Sequence, residues 1–217
     1  MTLLAIDTTG PDCAVALRVD GRPDRVLCER IGRGHAEWLA PMVEQILADA
    51  GITPRELTRI GVTIGPGSFA GTRVGTAFAR GLALATGAVA IGIGNLAVIA
   101  RQLEDVRPLA VLHDAKRGEV ILQVWAGPEA SGPQRLTVDA VPAHLEALAL
   151  GGLVLAGSGA ALVDPAGMDV RDVTALDLHA LLDLVAEADP AQAPASPFYA
   201  RPAAWRPAGG HRRARPV

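Results

Sequence analysis

The chain of 217 residues predicts an α/β fold in two parts, and three observations carry that prediction. Apolar runs of strand length alternate with runs of helical spacing. A glycine-rich stretch, Gly65 to Gly75, joins one such strand to one such helix. After a polar break at Asp105, the pattern restarts with a new strand at Leu109. Half of the residues are hydrophobic, but only three Phe, three Trp and one Tyr are present, so Ala, Val, Leu and Ile must build the core.

Leu3–Ile6 reads as a short buried strand ending at Asp7, and Cys13–Val19 as the next, with Asp20-Gly21 as a hairpin turn. Arg25–Ile31 completes an antiparallel meander. Trp38, Leu39, Met42, Val43, Ile46 and Leu47 have helical spacing, which predicts a helix over 36–50. Gly51 stops it, and Pro41 is expected to bend it. Thr53-Pro54-Arg55-Glu56 has the form of a capping box with proline at the first helical position, predicting a short helix. Ile60–Ile64 reads as a buried strand, and 72–86 as a helix ending at Gly87. A strand at 88–91 follows, then a helix capped by Asn95. The first part, 1–105, thus reads βββαβαβα. In the second part, 106–188, strands are expected at 109–112, 119–125 and 153–156, with helices at 142–150 and around Leu178, Leu181, Leu182 and Val185. Residues 189–217 are rich in Pro and Ala, expected to be extended, and end in a basic run.

The formal net charge of −3 argues against a dedicated nucleic-acid-binding domain. Cys13 and Cys28 are the only cysteines and read as buried thiols of a reducing cytoplasm, not a disulfide. No signal segment is read at the start of the chain. The most apolar stretch, Phe78 to Ala100, contains Arg80 and changes from helical to strand pattern, so it reads as core and not as a membrane span. His35, His113, His144, His179 and His211 are never three or four residues apart, so no helix face presents a histidine pair to a metal.

The stretch Gly65-Pro66-Gly67-Ser68 stands between strand and helix. Gly65 and Gly67 reach backbone angles closed to other residues, and Ser68 suits an N-cap. Such a turn presents N–H groups at the positive end of a helix dipole, which fits a phosphate or carboxylate. It fits a bare tight turn equally well. No Gly-Lys-Ser/Thr follows, so it is not a Walker loop. Downstream, Gly71, Gly75, Ala79 and Ala83 recur every four residues. That bare stripe suits either the chain's own sheet or a partner helix.

Four pieces of the sequence resemble the TsaB (YeaZ) family: Leu4-Ala5-Ile6-Asp7-Thr8; His35 with Leu39, Pro41 and Met42; Gly65-Pro66-Gly67-Ser68-Phe69 with Gly71, Arg73 and Gly75; and Asp114-Ala115 with Gly118-Glu119-Val120. The resemblance implies an actin-like fold, of the Hsp70 and sugar-kinase ATPase type, with two related α/β lobes and mixed sheets. It implies a non-catalytic cytoplasmic scaffold that pairs with the catalytic paralogue TsaD and works with the ATPase TsaE. That assembly forms N6-threonylcarbamoyladenosine at adenosine 37 of tRNAs reading ANN codons. No cofactor is implied for the isolated chain; ATP or ADP belongs to the complex. Ala70, where the family commonly has Thr, and Thr72, where it has a hydrophobic residue, depart from the pattern.

On that resemblance the partner surface is expected to involve His35, Trp38, Met42, Gly71, Gly75, Phe78 and Ala79, and to serve a homodimer when the partner is absent. Asp7, Thr8, Gly65, Gly67, Ser68, Gly157 and Gly159 are expected as vestigial phosphate or nucleotide turns. Asp114, Lys116, Arg117 and Glu119 crowd one turn and read as a salt-bridge cluster between lobes. Two enzymatic alternatives stand beside the scaffold. An actin-like ATPase or kinase needs the Asp-x-Gly hairpin that Asp7-Thr8-Thr9 lacks, and a metal-dependent glycoprotease-like enzyme needs the missing histidine pair.

Overall fold

The computed structural model describes residues 1–127, 130–165 and 167–199. Strands β1 (Thr2–Asp7), β2 (Asp12–Val19) and β3 (Arg25–Arg30) form the meander. Helix α1 (His35–Ala50) runs unbroken through Pro41. Strand β4 (Arg59–Thr63), helix α2 (Phe69–Thr86), strand β5 (Val89–Ile93) and helix α3 (Asn95–Gln102) follow. Beyond them lie β6 (Leu109–Lys116), β7 (Glu119–Trp125), β8 (Gln134–Thr137), α4 (Val141–Ala147), β9 (Val154–Ala156), β10 (Asp169–Arg171) and α5 (Leu178–Glu187). Two five-stranded mixed sheets result, ordered β3-β2-β1-β4-β5 and β10-β9-β6-β7-β8. In each, a hairpin supplies the antiparallel strands and helical crossovers the parallel ones, as connection length requires.

The sheet period of two sorts β1 cleanly. Leu4 and Ile6 face one layer with α1 and α2, while Leu3 and Ala5 face the other. That second layer corrects the expected domain boundary. The sequence places helix α5 in the part 106–188, yet Leu181, Leu182 and Val185 pack on β1, β4 and β5 of the first sheet. Two features seat it there. A Cβ at Gly61 of β4 would overlap Val185 Cγ2, so only glycine admits the helix so close. Arg59 Nη1 donates to the carbonyls of Val185, Ala186 and Ala188 at 2.9–3.2 Å, satisfying groups that a helix C-terminus leaves open.

After α5 the chain runs as an extended strap. Gly92 N–H donates to the Ala193 carbonyl and Phe198 N–H to the Ile64 carbonyl, so the strap borders β5 and reaches the glycine turn. The rest of the stretch expected to be extended, 200–217 with its basic end, lies outside the described residues.

Other corrections are local. The capping box at Thr53 and Glu56 forms, but it starts a single 3-10 turn, Pro54–Glu56, because Leu57 turns into the core. The strands β8 and β10 carry too few alternating apolar residues to announce themselves. Cys28 is exposed, not buried; it sits on the edge strand β3. Its cross-strand partner is Ala14, whereas Cys13 faces Glu29, so the two thiols point to opposite faces of the sheet.

Candidate functional site

The loop after β1 is tied to β4, α2 and α3 by side-chain and backbone hydrogen bonds. Asp7 Oδ1 accepts from Thr9 N–H at 2.9 Å, Thr9 Oγ1 at 2.6 Å and Thr63 Oγ1 at 2.6 Å. Asn95 Nδ2 donates to Thr9 Oγ1 at 2.6 Å, and Asn95 Oδ1 accepts from Gly65 N–H at 3.0 Å. Asn95 is therefore not the cap of α3, which Gly94 occupies; it is the first helical residue and bridges two loops. Ser68 N–H donates to the Thr9 carbonyl at 2.7 Å. Thr8, fully buried, donates its hydroxyl to the Gly71 carbonyl at 2.8 Å.

The glycine turn itself is built as expected in one respect. Gly65 has φ +98°, in the region that favours glycine, and Ser68 caps α2 by accepting from Gly71 N–H. That cap starts the helix at Phe69, three residues earlier than spacing suggests, because Ser68 and not Thr72 holds the first free N–H groups. Thr72 is buried and donates to the Ser68 carbonyl at 2.7 Å.

Asp7, Thr8, Gly65, Gly67 and Ser68, expected as vestigial phosphate turns, come together at this corner. Asp7 Oδ1, Thr9 and Asn95 bond to one another and to Thr63 and Gly65, and Thr8 bonds to the Gly71 carbonyl, so the corner works as a clasp between β1, α2 and α3. The second-lobe turn is equally occupied. A Cβ at Gly157 would overlap the Leu112 carbonyl, Gly159 N–H donates to that carbonyl at 2.9 Å, and Ser158 Oγ accepts from Asp114 N–H at 3.1 Å. Of the crowded charges nearby, Lys116 pairs with Asp114 of its own strand, β6, at 2.6 Å, and Glu119 on β7 pairs with Arg135 on β8 at 3.8 Å. Among the described residues, no group of three His, Cys, Asp or Glu is placed to hold a metal ion, and no helix is long and apolar enough to cross a membrane.

The expected interface residues divide sharply. His35 is buried, and its Nε2 donates toward the carbonyls of Gly10 at 3.1 Å and Asp12 at 3.2 Å; it locks the β1–β2 loop rather than meeting a partner. Met42 lies in the core. Gly71, Gly75 and Ala79 are buried against the first sheet and Thr8. The bare stripe therefore serves the chain's own packing, and its assignment to a partner surface is corrected. Trp38 remains outward at 49 % exposure, and Phe78 is half-buried against the α1 side.

The opposite side of α2 shows what stripe-counting missed. Ala70, Ala77, Gly81 and Leu84 are exposed and Val74 half-buried, again at helical spacing. Leu84 is 89 % exposed. At the head of this face the Arg73 guanidinium stacks over Phe69 at 3.7 Å and donates to Tyr199 Oη at 3.1 Å. Tyr199 lies 126 positions away in sequence, so no local pattern announces that cluster. Neither thiol is activated. Burial first, then the Asp7 carboxylate, pushes Cys13 up to about 11, and burial raises Cys28 as well.

Two lobes built on five-stranded mixed sheets, with helices packed on them and a glycine turn at the head of α2, define an actin-like α/β protein. Comparison with solved structures agrees over nearly the whole chain. A Pseudomonas aeruginosa protein described as similar to the peptidase YeaZ superposes with TM-score 0.76 and 29 % identity, covering 92 % of this chain and 99 % of that one. The model of the family described as "TsaD: tRNA N6-adenosine threonylcarbamoyltransferase" matches residues 24–137. The chain belongs to that family, within its TsaB (YeaZ) group. The tRNA threonylcarbamoyladenosine biosynthesis protein TsaB of Escherichia coli is 38 % identical over 130 residues, covering 58 % of this chain and 54 % of that protein. Its Haemophilus influenzae counterpart is 35 % identical over 123 residues, with 55 % and 52 % covered. The chain thus spans a little over half the length of these relatives.

Proposed function

We propose that this chain is a non-catalytic subunit in the formation of N6-threonylcarbamoyladenosine at adenosine 37 of tRNA, binding a catalytic threonylcarbamoyltransferase paralogue, TsaD, alongside the ATPase TsaE. One observation carries the reading most directly. Asp7 Oδ1, Thr9 and Asn95 are engaged by the chain's own loops, while α2 turns Ala70, Ala77, Gly81 and Leu84 outward and α1 turns Trp38 outward. A chain built this way offers a surface rather than a reaction centre. The paired face, with Trp38 on α1 and Val74, Ala77, Gly81 and Leu84 on α2, fits a helical partner, since small residues let helix axes approach closely. The same face serves a homodimer when the paralogue is absent, and tRNA is reached through the complex.

The test is co-purification with the paralogue from the same cell, followed by Leu84→Glu. Leu84 is almost fully exposed, so the variant folds and loses the paralogue. A complex unaffected by this charge places the interface elsewhere, and ATP turnover or tRNA modification by the isolated chain overturns the scaffold reading.

A further inference from the structure

The chain has four serines, Ser68, Ser131, Ser158 and Ser196, and Ser158 meets a histidine. The parallel register sets Val111 of β6 beside Ala156 of β9. His113 and Ser158, two residues further along each, therefore emerge side by side where β9 has ended. Such C-terminal strand ends are where open α/β sheets present their chemistry. Two glycines permit the approach. A Cβ at Gly157 would overlap the Leu112 carbonyl oxygen, and one at Gly159 would lie 3.1 Å from the His113 carbonyl carbon, so the turn rests directly on β6. Ser158 Oγ thereby comes to 3.5 Å from His113 Nδ1. The same oxygen accepts from Asp114 N–H at 3.1 Å, which leaves its own proton to be given. Ser158 is exposed and His113 half-buried. Burial holds His113 below the ordinary histidine value; the Asp114 carboxylate opposes this and the Lys116 ammonium adds to it. Asp114 itself is turned to Lys116, accepting from its N–H at 2.8 Å and its Nζ at 2.6 Å. The imidazole is therefore neutral at about pH 7, and Nδ1 can accept the Ser158 proton.

We propose that Ser158 and His113 form a nucleophile–base pair that takes an acyl group from an activated carboxylic ester. Ser158 Oγ attacks the ester carbonyl carbon as its proton passes to His113 Nδ1. The Ser158 N–H has no acceptor among the described residues and is available to the developing oxyanion. Collapse breaks the bond to the leaving alcohol, which takes the proton from Nδ1, and the acyl group stays on Oγ. Water then attacks the acyl-serine and gives its proton to Nδ1; the carboxylic acid leaves as Oγ recovers that proton. The sum is ester plus water giving acid plus alcohol. The 3.5 Å separation is long for a hydrogen bond, as nucleophile–base pairs are before substrate seats. Neither step involves the outer face of α1 and α2, so the pair stands whether or not a partner binds there.

The full chain is treated with a fluorophosphonate, whose phosphorus Oγ attacks with loss of fluoride, and the adducts are mapped by tandem mass spectrometry. One adduct is expected, on Ser158, absent from Ser158→Ala and formed at least about a hundredfold more slowly in His113→Gln. No adduct on Ser158, equal labelling of Ser68, Ser131 or Ser196, or a wild-type rate in His113→Gln overturns the pair. Should His113→Gln fail to fold by circular dichroism, the pH profile of the unaltered chain decides. A rate level above the ordinary histidine value of about 6.5, falling with one ionisation below it, supports the pair. A rate rising about tenfold per pH unit through the alkaline range is hydroxide chemistry and overturns it. With p-nitrophenyl acetate, a burst of one p-nitrophenolate per chain, lost in Ser158→Ala, is expected; release that persists in Ser158→Ala overturns the acyl transfer.

Discussion

Three glycines of one helix, changed one at a time to alanine, separate the inward face of α2 from the outward one. A Cβ at Gly71 would overlap the Thr8 carbonyl oxygen, with the carbonyl carbon at 3.0 Å. Backbone cannot swing aside as a side chain does, so the overpacking cost lies at the upper end of about 1–3 kcal/mol. Replacing glycine within a helix returns about 0.5–1 kcal/mol, leaving Gly71→Ala destabilised by about 2 kcal/mol. At Gly75 the new carbon meets Thr8 Oγ1 at 2.5 Å and Val62 Cγ2 at 3.2 Å. The Thr8 hydroxyl can rotate away, but it then gives up its bond to the Gly71 carbonyl, worth about 1 kcal/mol; a smaller loss follows. At Gly81 nothing lies within 4 Å, so the same substitution stabilises by the full helix term. Urea denaturation followed by far-UV circular dichroism measures all three. For a chain of this size each kcal/mol moves Tm by about 2–4 °C, so Gly71→Ala falls by about 4–8 °C and Gly81→Ala rises by about 1–4 °C. Gly71→Ala with an unchanged midpoint, or Gly81→Ala as damaging as Gly71→Ala, would show that the faces are assigned wrongly.

The clasp makes Asp7 structural, and its removal is felt in stability. Asp7→Ala strands the Thr9 N–H and the Thr63 hydroxyl and should cost about 2–3 kcal/mol, read as a shifted urea midpoint; wild-type stability would mean that the clasp contributes nothing. Thiol labelling at pH 8 should modify Cys28 and spare Cys13, whose thiol is buried and pushed up to about 11; mass spectrometry after iodoacetamide reads the ratio, and equal modification would contradict the burial. The Arg18 guanidinium, and after it His179, hold the Asp24 carboxyl below its ordinary value. A carboxyl depressed in the folded state stabilises above its ordinary value and loses that contribution as pH falls through the folded one. Tm should therefore decline below about pH 4, with a shallower slope in Asp24→Asn; parallel curves for the two proteins would remove Asp24 from the account.

Much of this architecture is legible in the chain because its signals are local. Alternation in Leu3–Ile6, helical spacing from Trp38 to Leu47, Gly51 and Gly87 as helix stops, and Ser68 as a cap each act within a few residues. They place β1, α1 and α2 to within a turn. Even the glycine stripe at Gly71, Gly75 and Ala79 is plain in the sequence; what it lies against is not. Period alone says that a face is bare, and both a sheet and a partner helix accept a bare face. Only the position of Thr8, brought under α2 by the parallel pairing of β1 and β4, decides for the sheet. Asn95 shows the same limit. Its place before an apolar run suggests a cap, but Thr9 and Gly65 come within reach only once three strands are side by side. Helix α5 and Tyr199 return to the first lobe across more than a hundred residues. Those contacts depend on which surfaces remain uncovered when the sheets have formed, a property of the assembled layers and not of any window of sequence.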